Sequence, residues 1–210
     1  MKSTLTSAQV VVAVKNKISM SKMTLSKMNF AGANLYEADF SGADLSYADL
    51  SDTELISVNF NGANLKGAML TRTNFSNGKA IGANLSFADL AGALLVYTNF
   101  NRADLNHANL TRTYMDYADF TDADLSYTNL AGLGSMRARL NDAIALRVNL
   151  QYADVQGADM QGVNFINADF SHANLTQCNL TDSWLSGAAM DETILTSCIM
   201  PKKHWNRLYT

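Results

Sequence analysis

The sequence predicts an all-β solenoid, a square-sectioned parallel β-helix with four pentapeptides per coil, and three observations carry that prediction. From about Met20 to Met200, nearly every residue whose number ends in 5 or 0 is Leu, Phe or Met, and two positions earlier stands a small residue, usually Ala. This period suits neither standard element: a helix wants apolar residues at three- and four-residue spacing, a strand wants alternation, and on a helix these leucines would spread around the circumference. Residue identity also recurs at twenty, in the series Phe40, Phe60, Ala80, Phe100, Phe120 and the series Leu45, Leu65, Leu85, Leu105, Leu125. With residues i and i−2 facing inward, the other three face out and turn a corner, so each pentapeptide is one side of a polygon. A unit this short cannot bury its own apolar side chains, so successive coils must stack into a continuous core. About nine coils at ~4.8 Å each make a rod roughly 45 Å long, and each inward Leu or Phe contributes about 1.5–3 kcal/mol.

Residues 1–19 are expected to form an N-terminal cap, because a stack of strands leaves open ends that invite pairing with another chain. Thr6-Ser7-Ala8-Gln9 followed by Val10-Val11-Val12-Ala13-Val14 reads either as a helix begun by Thr6 or as an irregular first coil; Lys15 occupies a nominal central position and marks a break in phase. The apolar run is too short for a secretory signal or a membrane span, and no small-residue cleavage site follows it, so the expectation is a soluble, cytoplasmic protein.

Residues 20–200 are the repeat body, and the unbroken phase argues for one domain in this chain of 210 residues, 48% of them hydrophobic. Gly32, Gly42, Gly62, Gly67, Gly82 and Gly92 fall at outward corners, where tight turns need unusual dihedrals. Asp39, Asn64, Asp89, Asp104 and Asn109 precede the central position and suggest Asx turns onto the corner backbone rather than a calcium series. Three stretches depart from the motif without insertions. Ser76-Asn77-Gly78-Lys79-Ala80 leaves a hole that Phe60 and Phe100 are expected to lean into; Leu133-Gly134-Ser135 exchanges large and small; Ala143-Ile144-Ala145 shrinks the centre; and local distortion is expected at each. Cys178 and Cys198 take the inward small-residue slot one coil apart and are read as core filling rather than a disulfide.

Residues 201–210 are read as a C-terminal cap or a dimerisation tail. Pro201, the only proline, stands where the repeat stops, as suits a residue that cannot donate to a backbone ladder. Trp205 and Leu208, three apart, lay one apolar face either on the last coil or on a second copy of the chain.

The units Ala33-Asn34-Leu35, Ala38-Asp39-Phe40, Ala43-Asp44-Leu45, Ala48-Asp49-Leu50 and Ala168-Asp169-Phe170 spell an A(D/N)LXX motif that resembles the pentapeptide-repeat proteins. The resemblance covers Met20 to Met200 and implies a right-handed quadrilateral β-helix; handedness comes from the resemblance alone. It also implies, for members that act on DNA gyrase, dimerisation at the C-terminal end.

Catalysis finds no constellation. His107 and His172 sit at outward corners, His204 in the tail and the cysteines inside, so no nucleophile, base and orienting acid converge. No His/Cys cluster has metal-ligand spacing, and neither a metal nor another cofactor is expected. Outward apolar residues are more telling, because they serve no core. Ile56, Leu94, Val96, Tyr97, Tyr114, Tyr117 and Met136 are expected to merge on one side into a partner-binding patch with Tyr97 and Tyr117 at one corner; the plain alternative is that neighbouring aromatics ladder along the rod, as Tyr47, Phe87 and Tyr127 would.

Charge is uneven. Residues 1–30 hold five lysines and no acid, residues 31–200 eight basic and all nineteen acidic residues, and the last ten Lys202, Lys203 and Arg207. Arg102 and Asp122 share a corner, as do Asp52 and Arg72, whereas Asp116, Asp119, Asp122, Asp124, Asp142 and Asp182 are read as an acidic surface. Two functions follow. The first is a non-catalytic, rigid scaffold that binds another protein through the Tyr97/Tyr117 side, as a regulatory partner or a delivered effector. The second, implied by resemblance to the quinolone-resistance group, is a DNA mimic that binds DNA gyrase or a related type II topoisomerase and protects or inhibits it. The acidic body disfavours direct contact with nucleic acid, while the basic first thirty residues suit an acidic surface or membrane face.

Overall fold

The fold follows from where the five backbone N–H groups of each repeat go. In Ala43-Asp44-Leu45-Ser46-Tyr47, Ala43 N donates to Phe40 O (2.9 Å) and closes a turn within the coil. Asp44 N donates back to Met23 O (2.9 Å), while Leu45 N and Tyr47 N donate forward to Asn64 O (2.8 Å) and Lys66 O (2.9 Å). The fifth, Ser46 N, donates to the Asp44 carboxylate, Oδ1, at 3.1 Å. No N–H of the unit is left over, which is what a sheet three residues wide per side requires.

The computed structural model describes residues 5–134 and 136–202. Parallel bridges pair residues twenty apart, from Thr24 with Asp44 to Asn179 with Ile199, so four pentapeptides complete each coil as the sequence predicts. Central residues form the core: Phe40, Phe60, Phe100, Phe120 and the Leu45-to-Leu125 series are all buried. Where the small inward slot holds a hydroxyl, it is satisfied by backbone, as Thr113 Oγ1 donates to Leu110 O (2.8 Å) and Thr98 Oγ1 to Phe75 O (2.8 Å).

Residues 5–19 resolve the N-terminal alternative in favour of a helix, Ser7–Lys15 (α1). Thr6 caps it: its hydroxyl accepts from Gln9 N (3.3 Å), and Gln9 Oε1 accepts from Thr6 N (2.8 Å), a reciprocal capping box. Val10 and Val14, one turn apart, are buried against the core and close the stack. At the other end Pro201 is buried, and Trp205 and Leu208 lie outside the described residues.

Two expectations about the interruptions are corrected. The hole at Ala80 is filled not by Phe60 and Phe100 leaning in but by Phe75, the central residue of the preceding side. Its ring meets Phe60 at 5.4 Å and Phe100 at 5.6 Å, both edge-on, and so keeps the aromatic column continuous between Phe40–Phe60 (5.6 Å) and Phe100–Phe120 (4.9 Å). Gly78 makes the room, because a Cβ there would stand 2.0 Å from Phe75 Cε2. At Ala143-Ile144-Ala145 no distortion is seen: Ile144 bridges both Asp124 and Asn164, and Ala145 N donates to Asn164 O at 2.9 Å. A shrunken side chain alone leaves the backbone ladder unchanged.

Corner residues of the coils, those numbered in 2 or 7, adopt left-handed backbone with φ between 53° and 72°, Arg137 beside the Leu133-Gly134-Ser135 departure excepted. Glycine is not demanded there, since 26 of these residues are other types. Those other than Asn and Asp carry a strain of about 1–2 kcal/mol, offset in part where neighbours twenty positions apart touch along the rod axis, as Tyr97 and Tyr117 do.

Gly78→Ala drives a methyl group into the Phe75 ring and is expected to lower stability by about 1–3 kcal/mol. Gly82→Asn, at a corner with nothing within 4 Å of the added Cβ, is expected to change it by less than about 1 kcal/mol. Urea unfolding of the two variants checks the contrast.

Candidate functional site

Outward positions before each central residue are where Asp and Asn satisfy the fifth N–H, so an apolar residue there gives up a structural role. Leu94 and Tyr114 are the one pair of apolar residues at this position on successive coils of the same side. They are bridged, both are exposed, and the Tyr114 ring extends over Gly134, whose added Cβ would stand 2.7 Å from Tyr114 Cε1. At the adjoining corner Tyr97 (58% exposed) and Tyr117 (48%) stack at 5.0 Å and 9°, and the Arg137 guanidinium caps the stack 5.0 Å from the Tyr117 ring centre. Val96 is half-buried beside Tyr97. The structure thus brings five of the seven apolar residues together.

The other two do not join. Ile56 is half-buried and lies two coils away, with Ser76 between it and Val96. Met136, expected outside, is buried, as is Leu133. The sequence places Ser at the central position of this side, and burying two apolar side chains beside it supplies the missing core volume. Asp116 serves the displaced backbone: Oδ1 accepts from Arg137 N (3.2 Å), and its two oxygens take the guanidinium at 3.3 Å each.

The predicted acidic surface is also reorganised. Asp116 faces Arg137, Asp119 faces Arg139 at 2.7 Å and Asp122 faces Arg102 at 3.6 Å. Asp124 accepts from Ser126 N (2.9 Å) as an Asx cap, and Asp142 lies over Gly162. Asp182 remains at its exposed corner. Asx turns recur along the body as expected, with cross-coil amide bonds such as Asn64 Nδ2 to Asp44 Oδ1 (3.0 Å) added to them. Elsewhere, ion pairs hold carboxyls below their usual range: Arg72 does so for Asp52, and Lys17, with help from Tyr36, for Glu37.

A second aromatic column was only half visible in the sequence. Phe87, His107 and Tyr127 stack at 4.9 and 4.8 Å on another corner, with Lys66 over Phe87 and Arg147 over Tyr127. Reading His107 for catalysis alone hid its part as a ring; its place at the twenty-residue interval was the available signal. Among the described residues no group of three or more His, Cys, Asp or Glu is placed to hold a metal ion, and no helix is long and apolar enough to cross a membrane.

The family described as pentapeptide repeats matches in 8 copies, within residues 19–52, 48–86, 83–116, 103–133, 146–182 and 173–201. No curated protein matches the chain. Among solved structures it is similar to HetL, a pentapeptide repeat protein involved in heterocyst differentiation regulation from the cyanobacterium Nostoc sp. strain PCC 7120. The identity is 26%, the match covers 95% of this chain and 98% of HetL, and the TM-score is 0.62. It is also similar to a trypsin-treated form of QnrB1, a plasmid-mediated fluoroquinolone resistance protein, at 23% identity, 81% and 86% coverage and a TM-score of 0.56; that likeness is one of fold.

Both cysteines are free. Burial pushes the Cys178 thiol up to about 12 and the Cys198 thiol up to about 11, and Cys178 Sγ donates to Val155 O at 2.9 Å. Thiolate is the reactive form, so the native protein at pH 8 is expected to resist a thiol-specific disulfide reagent, with Cys178 the slower. Both thiols become titratable in denaturant, and rapid colour release from the native chain would contradict this.

Proposed function

The chain belongs to the pentapeptide-repeat family, and from that premise we propose that it is a non-catalytic, rigid protein-interaction scaffold whose partner binds the side carrying Leu94, Val96, Tyr97, Tyr114 and Tyr117. One observation carries the reading: on two successive coils the side gives up the Asp or Asn that the backbone uses elsewhere and exposes Leu94 and Tyr114 beside a stacked tyrosine pair. Tyrosine rings present large contact area at little conformational cost, and a rod whose coils are tied by backbone hydrogen bonds loses little further entropy on binding. HetL, similar over nearly its whole length, is described as involved in regulation, which suits a protein that acts by contact. The right-handed coil and the C-terminal dimer expected from the family belong to the same proposal.

Topoisomerase binding by DNA mimicry draws less support. Three of the acids it would use face arginines, so the field they present is reduced.

Capture of partners from a lysate of the producing cell by the immobilised chain tests the proposal. Tyr97→Ser with Tyr117→Ser is expected to keep the circular dichroism spectrum and lose at least one captured protein; an unchanged set of captured proteins rejects this side. A gyrase supercoiling assay at low salt addresses the mimicry reading, which predicts an effect weakened by Asp119→Asn with Asp122→Asn.

A further inference from the structure

Four corner glycines among the described residues leave their rung open, and one of the four is unlike the others. At six corner glycines the side chain twenty residues earlier lies within 4 Å of the position a Cβ would take, as Tyr47 does at Gly67 and Arg72 at Gly92. Gly32, Gly62 and Gly82 stay open because no coil side chain stands twenty residues before them. Gly132 differs: Arg112 stands there, yet nothing lies within 4 Å of the glycine.

A cavity of about 540 Å³ opens at this rung, lined by Gly92, Thr111, Arg112, Ala131, Gly132 and Tyr152. Its floor is held in place. Tyr152 stacks on His172 at 4.7 Å and 6°, and His172 Nδ1 lies 3.0 Å from Glu192 Oε2. Its opposite wall is Arg112, which among the described residues takes part in none of the ion pairs. Exposed rings on this molecule stack at 4.7 to 5.0 Å. Rungs 112 and 152 are two coils apart, roughly twice the ~4.8 Å pitch, so one planar group at rung 132 would lie one rung from each, at the spacing the other columns use to stack on Tyr152 and within reach of a swing of the long Arg112 side chain that lines the same opening.

We propose that this slot receives an aromatic side chain with a carboxylate beside it, presented by a protein partner, with the ring between Tyr152 and Arg112 and the carboxylate answering the guanidinium charge. The slot borders the side described above, since Gly92 and Arg112 precede Leu94 and Tyr114 by two residues each, and the proposal rests on that side being the partner-facing one. It adds to that reading the chemistry of the anchoring residue.

N-acetyl-tryptophan, an indole bearing a carboxylate at neutral pH, is the probe. Titrated into the ¹⁵N-labelled full chain, it is expected to shift the Gly92 and Gly132 amides and the Arg112 Nε–H in a saturable way. Binding is expected to be about fivefold weaker for N-acetyl-tryptophanamide, which lacks the charge, and for N-acetyl-leucine, which lacks the ring. Gly132→His fills the rung with a ring at a backbone conformation His172 already adopts (φ 61°), and is expected to abolish the shifts; Arg112→Gln, at an exposed corner, is expected to weaken them to the level of the amide probe. Absence of saturable shifts, equal response to the three probes, or shifts that persist in both variants overturns the proposal. No partner enters this titration, so its failure is separable from failure of the Tyr97/Tyr117 capture test.

Discussion

Everything in this molecule depends on how a five-residue side satisfies five backbone donors. Three go along the rod axis to neighbouring coils, one closes a turn and one has only a side chain to turn to, as the unit around Asp44 shows. That last donor explains the Asp or Asn at the second position of most units better than any appeal to surface charge or metal binding. A buried or half-buried N–H without an acceptor costs about 1–3 kcal/mol, and over so many repeats that cost would exceed the whole stability of an ordinary domain, about 5–15 kcal/mol. Met69, Ile144, Trp184, Ile194 and Ile199 also stand in place of the acceptor, but Leu94 and Tyr114 alone do so on two successive coils of one side, and the proposed partner-facing side starts from that pair.

The core obeys a looser rule. The backbone fixes where inward side chains begin, but not which of them fills a given volume. At Gly78 the neighbouring Phe75 takes over the aromatic column, and beside Ser135 Leu133 and Met136 are both turned in. Interiors close up to near-crystalline density by whatever side chain can reach. Asp116, bound to the Arg137 backbone and guanidinium, shows the surface adjusting in turn.

The four-sided coil, its period and the inward column were legible in the sequence, because period and identity at twenty residues are geometric statements. The α1 helix was legible as one of two options; the Thr6–Gln9 capping box and the one-turn spacing of Val10 and Val14 were present in the text, but only burial against the first coil chose between them. Five members of the exposed side, from Leu94 to Tyr117, were found by counting outward positions. Met136 was not, since counting assumes a constant backbone and that side bends. The arginines opposite Asp116 and Asp119 stand at intervals of 21 and 20 residues, visible in principle, but long side chains reach across columns in ways that register alone does not fix. The open rung at Gly132 could not be read at all, because Arg112 and Arg72 occupy equivalent positions and only coordinates distinguish the one that leans over its glycine.

The left-handed corners have one more implication. Tyr, Arg, His, Asp, Lys and Gln all occupy them with nearly the same φ, and none of them enters the core. Evolution can therefore rewrite an edge of the rod letter by letter while the interior stays untouched, so that new recognition is acquired without renegotiating the fold, and kinship between two such rods tells little about whom each one meets.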